Sequence, residues 1–430
     1  MTIMSNQGIS TIALHAGRQA DPTTGACALP IYQTASYEFK STEHASNLFA
    51  LKEFGNIYSR LTNPTVAALE ECLAALDGGT AAVATASGMS AIFLAITNVA
   101  AAGDHIVASC SLYGGTETLF RYTLPRFGIE VTFLEDFSPA TITAAIKENT
   151  KLVFCETIGN PNGEVPDFNA VSAAAHQAGL PLFVDNTFAP GLCRPIEHGV
   201  DIVLYSCTKW IGGHGTTLGG MIVDSGKFDW SNGRFPEFTT PDQSYHGIVY
   251  HNDFGDVPGS GNIAFAIKVR VQGLRNMGPC LSPYSAFQLC QGVETLPLRM
   301  EKHCSNALAL AQELETNNAV KQVIFTGLSA HPSHQTAIKY FNDGFGSVFC
   351  FELKGGQAAA LKFIESVKMV RHLANVGDAK TLVIHPYSTT HQQLTEAAKV
   401  AAGALPGLIR ISVGIENIED IIADVTQAIG

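Results

Sequence analysis

The stretch Asp201-Ile202-Val203-Leu204-Tyr205-Ser206-Cys207-Thr208-Lys209 passes from an apolar run straight into hydroxyls and a lysine. A short run of β-branched and aromatic residues bounded by polar ones reads as a buried strand. The earlier run Leu182-Phe183-Val184 closes in the same way, on Asp185. Similar apolar runs stand at 81–84, 106–108, 131–133 and 152–155. Segments long enough for helices separate most of them, such as 116–127 and 168–178, and a helical pattern at 66–76 precedes the set. Apolar strands alternating with helices predict an α/β fold, with a mostly parallel sheet covered on both faces.

A lysine and an aspartate, each placed where a buried strand ends, suit pyridoxal phosphate. That cofactor needs an amine for a Schiff base and a carboxylate to keep its ring nitrogen protonated. Lys209 is the candidate for the first task, because an isolated buried ammonium is costly and covalent engagement removes the charge. Asp185 is the candidate for the second, with a charge-assisted hydrogen bond of roughly 1.5–3 kcal/mol. Taken alone, Asp185 reads equally well as a helix N-cap. Ser206 and Thr208 can bind the cofactor's phosphate. Ser87-Gly88-Met89-Ser90, between a strand and a helix, can turn backbone N–H groups toward an anion, although a glycine for helix–sheet packing reads equally well there. Tyr58 and Arg60 from the N-terminal region could reach the phosphate across a subunit interface. Tyr113 either stacks on the ring or sits in the core, and Arg410, inside an apolar strand-like run, wants an anionic partner. A substrate α-carboxylate and a structural salt bridge both fit that description. The glycines at 212–215 lack the Gly-Lys-Ser/Thr that completes a nucleotide P-loop.

Composition narrows the remaining classes. The 430 residues are 46% hydrophobic and 15% charged, which suits more than one domain and burial between subunits. A formal net charge of -12 argues against nucleic acid or an anionic membrane as partner. The apolar stretch between Asp77 and Asp104 is interrupted by Thr85, Ser87, Gly88, Ser90, Thr97 and Asn98, so strand plus helix is expected and not a membrane span. Met1 to Gln7 carry no signal-peptide pattern. The ten cysteines form no C-x-x-C pair and the fourteen histidines are scattered, so reduced thiols, a cytoplasmic setting and no metal are expected.

Three regions are expected along the chain. Residues 1–64 read as an extended arm that packs on another subunit. Residues 65–296 form the large domain that binds the cofactor, with an ordered aromatic-rich insertion at about 226–262. A helical pattern at 298–314 opens a smaller α+β region, 297–430.

Several segments together carry a family likeness: Tyr58-Ser59-Arg60 with Asn63-Pro64-Thr65, Ser87-Gly88-Met89, Glu156-Thr157 with Asn160-Pro161, Val184-Asp185-Asn186-Thr187, Ser206-Cys207-Thr208-Lys209, and Arg410-Ile411-Ser412-Val413-Gly414. From about residue 10 onward the chain resembles the Cys/Met-metabolism family of pyridoxal-phosphate enzymes. The resemblance implies the type I, aspartate-aminotransferase-like fold of PLP-dependent transferases. It implies Lys209 on the cofactor, Asp185 on its ring nitrogen and Tyr113 stacked over it, these three being catalytic. Gly88, Met89, Ser206 and Thr208 would hold the phosphate, with Tyr58 and Arg60 from a neighbouring subunit, and Asn160 the O3′ side. Arg410 and Asn375 would bind substrate. The family implies a homo-oligomer, usually a dimer of dimers.

Within the family the chain is most similar to the O-acetylhomoserine sulfhydrylase branch, in the aromatic insertion and in the runs Lys209-Trp210-Ile211-Gly212-Gly213-His214-Gly215-Thr216 and His385-Pro386-Tyr387-Ser388-Thr389-Thr390-His391. The expected reaction is γ-replacement, O-acetylhomoserine plus sulfide giving homocysteine plus acetate. Cystathionine γ-synthase and γ-lyase activities are the alternatives. Methionine γ-lyases typically carry cysteine after Tyr-Gly, where this chain has Gly115, which counts against the lyase. A non-catalytic cofactor-binding protein would be expected to lack the lysine or the aspartate.

Overall fold

A computed structural model describes residues 7–390, 392, 396, 399 and 403–430. Met1 to Asn6 of the N-terminal reading and His391 of the quoted run lie outside the described residues. The apolar runs become strands: β1 Ala81–Thr85, β2 His105–Ser109, β3 Glu130–Leu134, β4 Thr150–Glu156, β5 Leu182–Asp185, β6 Ile202–Ser206 and β7 Gly220–Asp224. They form a sheet in the order β1-β7-β6-β5-β4-β2-β3. The β2–β3, β2–β4, β4–β5 and β5–β6 pairs are parallel, whereas β7 runs against both its neighbours. The mostly parallel sheet is therefore borne out, with one reversed strand that the sequence reading did not include. Its cause is chain length. The connection 207–219 contains no helix, and a parallel return usually needs a crossover helix, so the chain doubles straight back and leaves Lys209 in the turn.

Both faces of this sheet are buried. Val153, Val184 and Val203 enter one core with Leu69, Trp210 and Leu289. Their neighbours Phe154, Phe183 and Leu204 enter the other, with Ile106 and Phe265. Burial on both faces is why the strands read as continuous apolar runs instead of alternating ones. Helix Pro64–Asp77 starts where the Asn63 side chain accepts the Thr65 and Val66 amides and stops at Gly78, φ 73°. The helical stretch expected at 116–127 is an α-turn, a π-turn and a 3₁₀-turn in succession, with Pro125 opening the last.

The first sixty residues differ from an extended arm. Ile9–His15 is a helix that buries Ile12 and Ala13 in this chain's own core, and Thr42–Phe49 is a second helix. The aromatic region beyond residue 226 packs as a stack. The Trp230 ring packs beside both Phe238 and Phe265, with centroids 4.7 and 5.1 Å away and planes within 20°. All three rings are buried in the second core.

After the long helix Leu296–Thr316 comes a second sheet, β8 Val320–Ile324, β9 Val348–Leu353, β10 Arg371–His372, β11 Leu382–Ile384 and β12 Leu408–Ser412. Its order is β10-β11-β12-β9-β8, antiparallel except for β10–β11. No helix among the described residues is long and apolar enough to cross a membrane.

Candidate active site

The turn after β6 is tightly built. The Gly212 amide donates to the Cys207 carbonyl at 2.8 Å and the Gly213 amide to the Lys209 carbonyl at 2.7 Å. Arg299, from the long helix, clasps this turn: its guanidinium donates to the carbonyls of Trp210 and Gly292, each at 2.6 Å. With the backbone fixed, the Lys209 side chain points into a cavity of about 230 Å³. Its Nζ donates to Asn375 Oδ1 at 2.5 Å, a contact between residues 166 apart in the chain. Burial, and then the Arg410 guanidinium, push the Lys209 amine down to about 8. A good fraction of it is thus the free base near neutrality.

Two carboxylates end neighbouring parallel strands on the same cavity, since Glu156 of β4 is the register partner of Asp185 of β5. Burial raises Asp185 to about 6, opposed by hydrogen bonds from Thr187. The Thr187 amide donates to Asp185 Oδ1 at 2.9 Å, and the Thr187 hydroxyl accepts the Ser206 amide at 2.7 Å. Burial and the nearby Asp185 charge hold Glu156 well above the usual carboxylate range. Glu156 Oε1 accepts the Tyr113 amide at 2.6 Å.

At the opposite corner is an anion seat. Ser87 caps helix Gly88–Thr97 by accepting the Ser90 amide. The next amides, of Gly88 and Met89, therefore open toward the cavity that Ser206 and Thr208 also line. Glycine is required at 88, because a Cβ there would stand 2.7 Å from Ser206 Cβ. Gly220 is equally constrained, since its Cβ would come 2.1 Å from the Ser87 carbonyl oxygen.

Of the residues singled out from sequence, Lys209, Asp185, Tyr113, Gly88, Met89, Ser206, Thr208, Asn160, Asn375 and Arg410 line this one cavity. Tyr58 and Arg60 do not reach it. They line a separate cleft of about 460 Å³ with Gln33, Cys280 and Pro283. Arg410 has neither an ion pair nor a side-chain hydrogen bond among the described residues, and burial lowers its pKa. Asn375, expected at the substrate, lines the cavity and accepts the hydrogen bond from the lysine amine. Glu156 and Thr187 stand within the sequence motifs, which by themselves assign them no role. Their positions one strand apart from, or two residues beyond, Asp185 were the available signal.

The chemistry of this donor set matches pyridoxal phosphate: an amine low enough to react as free base, a buried carboxylate, and amides with two hydroxyls at a helix N-terminus.

Comparison with known proteins extends the likeness over the full chain. The sequence model of the Cys/Met metabolism PLP-dependent enzymes matches residues 10–430. An O-acetyl-L-homoserine sulfhydrylase of Leptospira meyeri is 52% identical, over 97% of this chain and 96% of its own. A homocysteine synthase of Schizosaccharomyces pombe is 51% identical, over 99% of each. Among solved structures, a putative O-acetylhomoserine (thiol)-lyase from Campylobacter jejuni superposes with a TM-score of 0.94 at 38% identity, covering 98% of this chain and 100% of that one. That crystal structure carries a pyridoxyl-lysine monophosphate. With the match running from residue 10 to the last residue, this chain belongs to the Cys/Met-metabolism family of pyridoxal-phosphate-dependent enzymes.

Proposed function

We propose that the chain catalyses γ-replacement, converting O-acetyl-L-homoserine and sulfide into L-homocysteine and acetate. The observation that carries this reading is one cavity presenting both a reactive amine, on Lys209, and a guanidinium, on Arg410, with no ion pair among the described residues. An α-amino acid offers the complementary amine and carboxylate. The choice of acyl donor and of sulfide rests on the two relatives at about half identity, one a sulfhydrylase and the other a homocysteine synthase.

Bound pyridoxal phosphate supplies the electron-withdrawing ring that makes a substrate α-proton removable. Arg410 binds the substrate carboxylate bidentately and orients Cα toward Lys209. Lys209, with its amine free, takes the proton from Cα and serves Cβ from the same position. Acetate leaves Cγ, sulfide adds there, and the protons return through the lysine. Asp185 would stay ionised and hold the ring nitrogen, and Tyr113 would cover the ring. Gly88, Met89, Ser206 and Thr208 would hold the phosphate, with Asn160 toward the O3′ side. Tyr58 and Arg60 reach the phosphate from a second copy, which makes the working unit at least a dimer; a dimer of dimers fits this role. Ten free cysteines suit a reducing compartment such as the cytoplasm.

The test is a product assay in which O-acetylhomoserine and O-succinylhomoserine are each supplied with sulfide or with cysteine. Homocysteine from the acetyl ester and sulfide is the expected dominant product. Faster cystathionine formation, or an α-keto acid released without any thiol, would overturn the assignment.

A further inference from the structure

Strands β4 and β5 end on two carboxyl groups side by side, and the proposed chemistry uses only one of them. Glu156 is 6% exposed, yet it lines the cavity. Its Oε1 accepts the Tyr113 amide at 2.6 Å, and Oε2 has no hydrogen bond among the described residues. Tyr113 itself has little else to hold it. It stands just before the helix Gly114–Thr118, the residue is 52% exposed, and its hydroxyl makes no hydrogen bond among the described residues. We propose that Glu156 is a positioning residue, kept as the neutral acid, which clamps the Tyr113 backbone and so seats the tyrosine ring against the cofactor without adding a second negative charge beside Asp185.

The charge assignment follows from the neighbourhood. Adjacent strands lie about 4.8 Å apart, so two ionised carboxylates here would repel strongly in a buried setting. The Thr187 amide donates to Asp185 and its side chain also favours the charged form of that carboxyl, whereas Glu156 receives one amide. The charge therefore settles on Asp185 and the proton on Glu156, where burial and the Asp185 charge both favour the neutral acid. The other ionisable groups facing Glu156 are Tyr113 and the adjacent Cys155 thiol, with Lys209 and Arg410 across the cavity. Glutamine keeps both properties that matter, an acceptor oxygen and neutrality; alanine keeps neither the acceptor nor the clamp.

The proposal rests on the placing of Tyr113 against the cofactor, and its readout is cofactor binding, so a failed product assay leaves it standing. Apoprotein is titrated with pyridoxal phosphate and followed by visible absorbance, for wild type, Glu156→Gln, Glu156→Ala, Tyr113→Ala and the alanine double variant, with circular dichroism confirming the fold. Expected are a dissociation constant for Glu156→Gln within about threefold of wild type, and about tenfold weakening for Glu156→Ala, the scale of one hydrogen bond. The double variant should lose no more than Tyr113→Ala alone. Wild-type affinity should fall on the alkaline side as Glu156 ionises, and Glu156→Gln should lack that fall. Glutamine as damaging as alanine, independent losses in the double variant, or the same alkaline fall in wild type and Glu156→Gln would each overturn the proposal.

Discussion

The depressed pKa of Lys209 sets how fast the apoprotein captures its cofactor. With the amine at about 8, roughly 24% of Lys209 is free base at pH 7.5, against about 0.1% for an ordinary lysine near 10.5, a gain of about 240-fold in reactive amine. Stopped-flow mixing of apoprotein with pyridoxal phosphate from pH 6.5 to 10 reads this directly. The capture rate should rise about tenfold per pH unit below 8 and level off above it. Burial is the larger cause and Arg410 the second, so Arg410→Met should move the midpoint upward yet leave it short of 10.5. Lys209→Ala should give no borohydride-trapped adduct. A wild-type midpoint near 10.5, or an Arg410→Met midpoint that does not move, would refute the reasoning. Stability carries the same signature. The unfolded lysine holds its proton up to a higher pH than the folded one, so the lysine's contribution to stability rises from about pH 8 to about 10.5.

Asp185→Asn should weaken pyridoxal phosphate binding by about 10- to 100-fold, the worth of one charge-assisted hydrogen bond, as measured by equilibrium titration. Gly88→Ala should abolish tight cofactor binding while leaving the circular dichroism spectrum intact, because the added methyl meets Ser206 at 2.7 Å. Gly115→Cys should force the Tyr113 ring from its present position, where a Cβ at 115 would lie 2.4 Å from the ring; a raised α-keto acid yield with acetylhomoserine alone is the expected readout. Asp424 accepts the amides of Lys368, Met369 and Val370, which hold its carboxyl below the usual range. Asp424→Ala should therefore cost about 1.5–3 kcal/mol in denaturant unfolding at neutral pH. That contribution is present above the ordinary carboxylate pKa and is lost as pH falls through the lower folded value.

The parallel strands and the residues at their ends could be read from the chain, because burial on both faces writes itself as short apolar runs with polar stops. Lys209, Asp185 and Ser206 were legible for that reason: each stands at or just past such a stop. The reversed strand β7 was not read, although Met221-Ile222-Val223 is apolar, since strand direction depends on connection length and not on composition. The bond from Lys209 to Asn375 left no local trace either, as it joins the turn after β6 to a loop of the second sheet. Helix Ile9–His15 was missed because Ala and Thr beside a few apolar residues give a weak period, and packing against Leu69 and Leu73 fixes it instead. Tyr58 and Arg60 mark the limit of a single chain, as their expected role depends on a second copy.

Arg299 is buried, its closest hydrogen-bond partners are backbone carbonyls with the Thr295 hydroxyl beyond them, and it has no ion pair among the described residues, so its charge is balanced chiefly by peptide dipoles. A planar fork of five donors can satisfy two diverging carbonyl oxygens at once, and a lysine's single ammonium cannot match that spread. The heading of the reactive amine is consequently inherited from the rotational setting of a helix that itself contributes nothing to the cavity wall. Anyone grafting this reaction centre onto another scaffold would have to carry that distant helix along, or find a substitute gauge for the turn, before the lysine would aim where it does here.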